Sequence, residues 1–326
     1  MHMSDALLNP TVSLTMAGVS AAALGYACFK MRQDPKTHEK LPLLAMAGAF
    51  VFAAQMINFT IPGTGSSGHI GGGLLLAALL GPWPSLVTIS VVLLIQCLLF
   101  ADGGLLALGC NIFNMGVIPC LAVYPLFKSL MSRHLIGGTM TGALAALPLG
   151  AFAVVLQTTF SGITALPFGA FAQLMLPIHL AIALGEGLAT AAVLTFVAKT
   201  HPELLDVPLD VSKLSEFRLS KKAVIAILGI VAVCLGVGIS AFASALPDGL
   251  EWAILNTAGT ENLPVSSQTM FTTAQTVQNQ TSLFPDYAWD PIPGGSYIAA
   301  AIGLIVTCLA VFGLGRVFSK KHTKAI

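Results

Sequence analysis

Met1 and His2 place three nitrogens side by side. With a free amine on Met1, that amine, the His2 amide nitrogen and the His2 imidazole reach one metal ion and close two small chelate rings. A large residue at position 2 is expected to block removal of Met1, so the unit is expected to persist. The plain alternative is a second-position histidine with no ligand role, so other residues must complete a site. Gly63-Thr64-Gly65-Ser66-Ser67-Gly68-His69 offers the completion, because glycines at that density let a backbone approach a ligand or another chain closely. His69 is the natural fourth ligand. Four nitrogens from Met1, His2 and His69 make a planar site, the geometry expected of Ni(II) or Cu(II). Binding through a backbone amide costs its proton, so affinity is expected to rise with pH. The alternative for His69 is a hydrogen-bonded structural histidine after a turn.

Polar side chains inside apolar runs are costly in lipid and mark positions with a task. Gln55 and Asn58 stand three apart near the end of one run, Gln96 leads toward Asp102, and Asn111 and Asn114 are again three apart. Each pair is either glue between helices or, with Ser66 and Ser67, a shell that orients His69 and the terminal segment. His179 and Glu186, seven apart on one face, mark an ion path or proton relay, or else a buried hydrogen-bonded pair. Asp248 and Glu251 in Pro247-Asp248-Gly249-Leu250-Glu251 form a capping-box pattern at a helix start. The functional reading of that motif is a docking or ion-guiding element.

Other chemistries are absent from the sequence. No G-x-x-x-x-G-K-[ST] occurs, so ATP hydrolysis is expected in separate subunits. Cys28, Cys97, Cys110, Cys120, Cys234 and Cys308 all lie within apolar runs without ligand spacing and read as small packing residues. No nucleophile and base are singled out as a catalytic pair.

The elements that must hold these residues are membrane helices. The 326 residues are 56% hydrophobic and 9% charged, with a mean hydropathy of +0.85. Spans are expected at roughly 11–29, 41–59, 70–80, 85–101, 105–127, 135–157, 171–198, 223–245 and 297–316. The third is too short to cross alone, so 70–101 is read as a helix pair hinged at Gly81-Pro82-Trp83-Pro84. The fold class is thus an all-α membrane protein, a polytopic bundle of about nine helices, seven plus two. All fifteen Lys and Arg fall within Lys30 to Lys40, Lys128 to Arg133, Lys199 to Lys222, and Arg316 to Lys324. Cytoplasmic loops carry such excess, which places the N-terminus outside and the C-terminus inside. Asp5, Asp102, Asp248, Glu251, Glu261, Asp286 and Asp290 then fall on an acidic outer face that favours approaching cations. No signal peptide is expected at Met1 to Asp5.

The polar stretch 199–222 divides the chain near residue 215. Residues 1–215 form the expected metal-binding block, and 216–326 a second module of two helices with an outer loop, expected to dock on the first or on a partner. The Thr-, Gln-, Asn- and Ser-rich segment 254–282 reads as flexible.

Several blocks together resemble the CbiM/NikM family, the substrate-binding membrane subunits of energy-coupling-factor (ECF) transporters for cobalt and nickel. They are Met1-His2, Ala54-Gln55-Met56-Ile57-Asn58-Phe59, Gly65-Ser66-Ser67-Gly68-His69, Leu80-Gly81-Pro82-Trp83, Leu94-Ile95-Gln96, Phe100-Ala101-Asp102-Gly103-Gly104, Leu108 to Gly116, and His179 with Gly185-Glu186-Gly187. The Pro247 to Glu251 motif resembles the small CbiN/NikN accessory subunit, fused here to the C-terminus. Many relatives begin Met-His-Ile-Pro-Asp-Gly, where this chain has Met1-His2-Met3-Ser4-Asp5-Ala6. The resemblance implies a helical bundle that holds Ni(II) or Co(II) as transported substrate through Met1, His2 and His69, with no permanent cofactor. It implies a transmembrane coupling subunit (CbiQ/NikQ-like) and a cytoplasmic ATPase (CbiO/NikO-like) as partners, in the cytoplasmic membrane of a prokaryote. Membrane lipid is the surroundings, and no nucleic-acid partner is expected. The rival readings are a proton-coupled secondary transporter using Glu186 and His179, an intramembrane metalloenzyme with an open coordination position, and a scaffold without ion chemistry.

Overall fold

The computed structural model describes residues 1–209, 218–289 and 294–319. An apolar chain in lipid must satisfy its backbone internally, which helices do. Among the described residues, seven helices are long and apolar enough to cross a bilayer: α1 (Pro10–Gln33), α4 (Pro82–Phe100), α5 (Leu108–Arg133), α6 (Leu135–Phe160), α7 (Phe168–Thr200), α8 (Lys221–Gly238) and α11 (Gly295–Phe318). The shorter α2 (Leu41–Gln55) and α3 (Gly73–Leu80) complete the membrane part. Outside it lie α9 (Gly249–Ala258), α10 (Thr269–Thr281) and a hairpin of β1 (Phe59–Ile61) and β2 (Ser66–Gly68). The chain is an all-helical polytopic membrane protein.

Local sequence sets the breaks. Asn9 caps α1 by accepting from Val12 N at 2.8 Å, with Pro10 at the first helical position. Gly81 takes φ +88°, a left-handed conformation that separates α3 from α4, so the expected hinge is there. Pro119 lacks an N–H and sits within a π-helical stretch of α5, Phe113–Val123, whose wider turn accommodates it. Along α6, Gly138, Gly142, Ala146 and Gly150 form a buried small-residue stripe. A Cβ at Gly138 would fall 2.4 Å from Met131 N, and one at Gly150 would fall 2.9 Å from the Asn114 carbonyl.

The described residues of the four cation-bearing places gather at one end. Lys221 Nζ donates to the Glu39 carbonyl and Lys40 Nζ to the Leu80 carbonyl. Lys128 pairs with Asp206 at 2.5 Å, and Arg32 lies over the Phe318 ring. Met1, the hairpin and α9 occupy the opposite end. The third expected span begins without helix: residues 70–72 are irregular, with Gly72 at φ +76°, and α3, only about 12 Å long, continues to Leu80 before Gly81.

Two expectations are corrected, the end of the second span and the flexibility of 254–282. The second span ends at Gln55 rather than 59, so Asn58 sits in the loop entering β1 and shares no helix face with Gln55. The Gly-rich segment is a β-hairpin within an otherwise helical fold. Segment 254–282 is not flexible coil: α10 buries Phe271 and Ala274 on the outer end of the bundle. The second module does dock on the first, with α8 and α11 packed along α2. Residue 215, Asp290 and Lys324 fall outside the described residues.

Candidate metal centre

The site is assembled from a terminal plug, a hairpin and a helix cap. Met3, fully buried, seats the plug: its N–H donates to Asn111 Oδ1 at 2.8 Å, and its carbonyl accepts from Gly104 N at 2.9 Å and from Asn111 Nδ2 at 3.2 Å. Asn114 donates to Met3 Sδ and exchanges two hydrogen bonds with Gln157, at 2.8 and 2.9 Å. Asp5 Oδ1 accepts from Ala107 N at 2.9 Å. Asn111 and Asn114 therefore share one face, and they grip the terminal segment as well as joining helices.

The hairpin brings His69 to the plug. Phe59 pairs with Gly68 and Ile61 with Ser66, and Gly63 and Gly65 take the positive φ that the four-residue turn requires. His69 Nδ1 donates to the Ile70 carbonyl at 3.0 Å, which leaves a lone pair on Nε2. The Met1 ammonium donates to that Nε2 at 2.8 Å. The His2 ring stacks on His69 at 5.2 Å between centroids. Thus the terminal amine and both histidines meet. Burial first, and the Met1 ammonium second, push His2 and His69 down to about 3, so both imidazoles are neutral at pH 7.

His2 Nδ1 lies 3.1 Å from Asp102 Oδ1, and its Nε2 lies 3.2 Å from Gln96 Oε1. A neutral ring cannot donate at both nitrogens. Gln96 Nε2 has no partner among the described residues, and turning that amide places its NH2 on His2 Nε2, with the Nδ1 proton given to Asp102. Asp102 Oδ2 accepts from Tyr287 OH at 2.6 Å. Burial raises Asp102 above the ordinary carboxylate range, against the Tyr287 hydrogen bond.

The capping box forms as expected and does more than cap. Asp248 Oδ1 accepts from Leu250 N at 2.8 Å and Glu251 N at 2.9 Å, while Asp248 N donates to Glu251 Oε2 at 2.9 Å. Oδ2 accepts from the Met1 ammonium at 2.7 Å and lies 3.8 Å from His69 Nε2. Burial alone would raise this carboxyl, but the Met1 ammonium and the cap N–H of Glu251 hold it below the usual range.

The other candidates divide. Gln55 Nε2 donates to the Gly71 carbonyl at 2.8 Å behind His69. Ser67 binds the second module, its N–H on the Pro247 carbonyl and its hydroxyl on the Leu246 carbonyl; Ser66 Oγ donates to the Ser67 carbonyl. Glu186 accepts from Gly71 N and Gly72 N, and His179 Nδ1 donates to the Met175 carbonyl. His179 and Glu186 share a buried face but do not pair with each other. A cavity of about 590 Å³ opens onto His2, His69 and Asp248, with Asp102, Glu251 and Asp286 in its walls and no Lys or Arg. Asn58 lines it too.

Among the described residues, no three His, Cys, Asp or Glu side chains are placed to hold a metal together. A metal site here has to enlist backbone or terminal nitrogen, which Met1 and His2 supply. Residues 2–204 match the family described as CbiM, cobalt uptake substrate-specific transmembrane region. The chain belongs to the CbiM family. Its residues 222–320 match the PDGLE domain. An Archaeoglobus fulgidus protein that carries the name fused nickel transport protein NikMN is 30% identical, over 97% of this chain and 98% of its own. The fused nickel transport protein NikMN of Rhodobacter capsulatus is 41% identical over 36% of this chain and 33% of its own. Among solved structures, a transition metal transporter is similar with a TM-score of 0.55 and 26% identity, over 63% of this chain and 96% of that one.

Sequence reasoning missed Gln157, Tyr287 and Gln278 in this CbiM-family chain. Gln157 was visible as a polar residue within an apolar run. Gln278 Nε2 donates to the Gly103 carbonyl at 2.7 Å, and it stands seven residues after Phe271 on the buried face of α10. Nothing in the sequence singles out Tyr287.

Proposed function

We propose that this chain is the substrate-binding component of an ECF-type importer for Ni(II) or Co(II), with binding and accessory modules fused at about residue 215. The Met1 amine, the His2 amide nitrogen, the His2 imidazole and His69 Nε2 form the planar four-nitrogen site. The observation that carries this reading is the Met1 amine lying 2.8 Å from His69 Nε2, sixty-eight residues away, with the His2 ring stacked beside it. Three potential nitrogen ligands with no other shared purpose converge where an acidic cavity ends. The names of the relatives, nickel and metal transport proteins, support the substrate class.

The ion competes with protons for the amine and amide, and it meets imidazoles that are already neutral. A coupling membrane subunit (CbiQ/NikQ-like) and an ATPase (CbiO/NikO-like) supply the power stroke, as the resemblance implies; the chain itself carries no G-x-x-x-x-G-K-[ST] loop. The protein resides in the cytoplasmic membrane of a prokaryote and is itself no enzyme. Glu186, the residue a proton-driven rival would need as its relay, is committed to two backbone N–H groups.

The test is metal content and Ni(II)/Co(II) titration of chain bearing a free Met1 amine, beside a variant with one alanine inserted after Met1. Insertion keeps every side chain and moves His2 out of chelate register. The parent is expected to bind one ion tightly and the insertion to abolish it. Equal binding by both, or by neither, would overturn the reading.

A further inference from the structure

We propose that Asp248 is the capture ligand of the site: its Oδ2 takes an incoming divalent cation from the outer cavity and passes it to Met1 N and His69 Nε2. This rests on the metal-binding reading above and assigns the second module a part in loading.

The first argument is how the carboxylate is mounted. A helix cap needs one oxygen, and Oδ1 provides it to Leu250 N and Glu251 N. The reciprocal bond from Asp248 N to Glu251 Oε2 closes the box and fixes the side chain. Oδ2 is left over, and it is the oxygen directed at two of the proposed ligands, at 2.7 and 3.8 Å. The motif is also tied to the hairpin that carries His69. Ser67 N donates to the Pro247 carbonyl at 2.8 Å, and Trp252 Nε1 donates to the Thr64 carbonyl at 2.9 Å. A Cβ on Gly249 would meet Ile182 at 2.7 Å and His179 at 3.2 Å, so glycine permits this close seat. Carboxylate, hairpin and His69 are therefore held as one unit.

The second argument is the approach. The cavity of about 590 Å³ has room for a hydrated ion, since six waters occupy roughly 200 Å³. Gln55 lines the same cavity, is buried, and has an Oε1 without a partner among the described residues. That unspent acceptor suits an ion's bound water.

The third argument is ligand preference. An aqua ion exchanges a water for a carboxylate oxygen, but late first-row divalent ions prefer amine and imidazole nitrogen over carboxylate. Asp248 can thus hold the ion without retaining it against four nitrogens.

The experiment uses the full chain with a free Met1 amine in detergent, mixed rapidly with Ni(II) and followed by tryptophan quenching; Trp252 stands against the hairpin. Asp248→Asn and Asp248→Ser both keep a capping acceptor and remove the carboxylate, so one serves if the other does not assemble. Association is expected to slow at least tenfold in both, with the absorption spectrum of the finished complex unchanged. The deficit is expected to persist in about 1 M salt, where screening acts within about 3 Å. Association within twofold of the parent would overturn the proposal, as would a deficit that vanishes in salt, which is long-range steering. A changed final spectrum would also overturn it, because the carboxylate would then belong to the finished site. If the parent binds no Ni(II), or the alanine insertion binds as well as the parent, the site reading itself fails, a distinct result.

Discussion

Glu186 Oε2 accepts a hydrogen bond from Gly71 N at 2.7 Å, and its other oxygen accepts from Gly72 N at 3.1 Å. A carboxylate midway along α7 thereby satisfies the irregular backbone that links His69 to α3. Irregular backbone at membrane depth persists only when protein groups meet its donors. Glu186→Gln offers one acceptor oxygen and a competing NH2, so one N–H loses its partner. The expected cost is about 1–3 kcal/mol of stability, read as a lower melting temperature in detergent, together with weaker Ni(II) binding through a looser His69. An unchanged melting temperature with uptake abolished would instead favour a proton relay.

The neutral histidines set the pH response. An unfolded histidine takes a proton near pH 6.5, whereas His2 and His69 in the fold take one only near 3. Between those values the unfolded chain binds more protons, so the histidine contribution to stability is present above pH 6.5 and is lost as pH falls toward 3. The unfolding midpoint of metal-free protein is expected to drop across that window, and less so in His2→Ala. Ni(II) affinity is expected to rise with pH through neutrality without a step near 6.5, because the protons displaced belong to the amine and the amide. A step there in the titration series would mean that an imidazole is still charged in the folded protein.

Chain order tells why some of this was legible. Met1, His2, His69 and the Asp248–Glu251 box are local signals, and the fold brings them together. The link between Asp248 and Met1 spans 247 residues, and no local pattern announces it. The irregular start of the third span, residues 70–72, was hidden because 70–80 is apolar throughout, and periodicity is silent on where helix begins. The α10 helix was hidden by its Thr, Gln and Asn content. Its buried residues Phe271 and Ala274, followed by Gln278, stand at i, i+3 and i+7, a one-sided face that composition averages away.

Asn114 and Gln157 exchange two hydrogen bonds in a buried setting beneath Met3. Asn114→Ala strands both polar groups of Gln157, at an expected cost of about 1–3 kcal/mol. Replacing both residues with leucine removes the stranded groups together and is expected to recover most of that loss. The double-mutant cycle, measured by thermal unfolding, should therefore show strong coupling. Additive losses would mean that the pair holds nothing in common. Ni(II) binding is expected to weaken in Asn114→Ala, since Met3 is part of the plug that carries the amine.

Gly104 tests whether the plug is required for binding or merely accompanies it. A Cβ at position 104 would fall 2.0 Å from Asp5 Oδ1 and 2.5 Å from Asp5 N. The second of these is backbone, so no rotamer change relieves it. Gly104 also donates its N–H to the Met3 carbonyl, so the clash acts on the strand that positions His2. Gly104→Ala is expected to expel the terminal segment while leaving the packing of α6 on α7 intact. Helical circular dichroism should then stay near the parent's, and Ni(II) affinity should fall at least tenfold, about 1.4 kcal/mol. Proteolysis or labelling at the terminal amine gives the direct readout: the amine, buried and hydrogen-bonded in the parent, should become reactive. If the amine stays protected and Ni(II) affinity is unchanged, the segment tolerates the displacement, and the site does not depend on how tightly Asp5 and Met3 are seated.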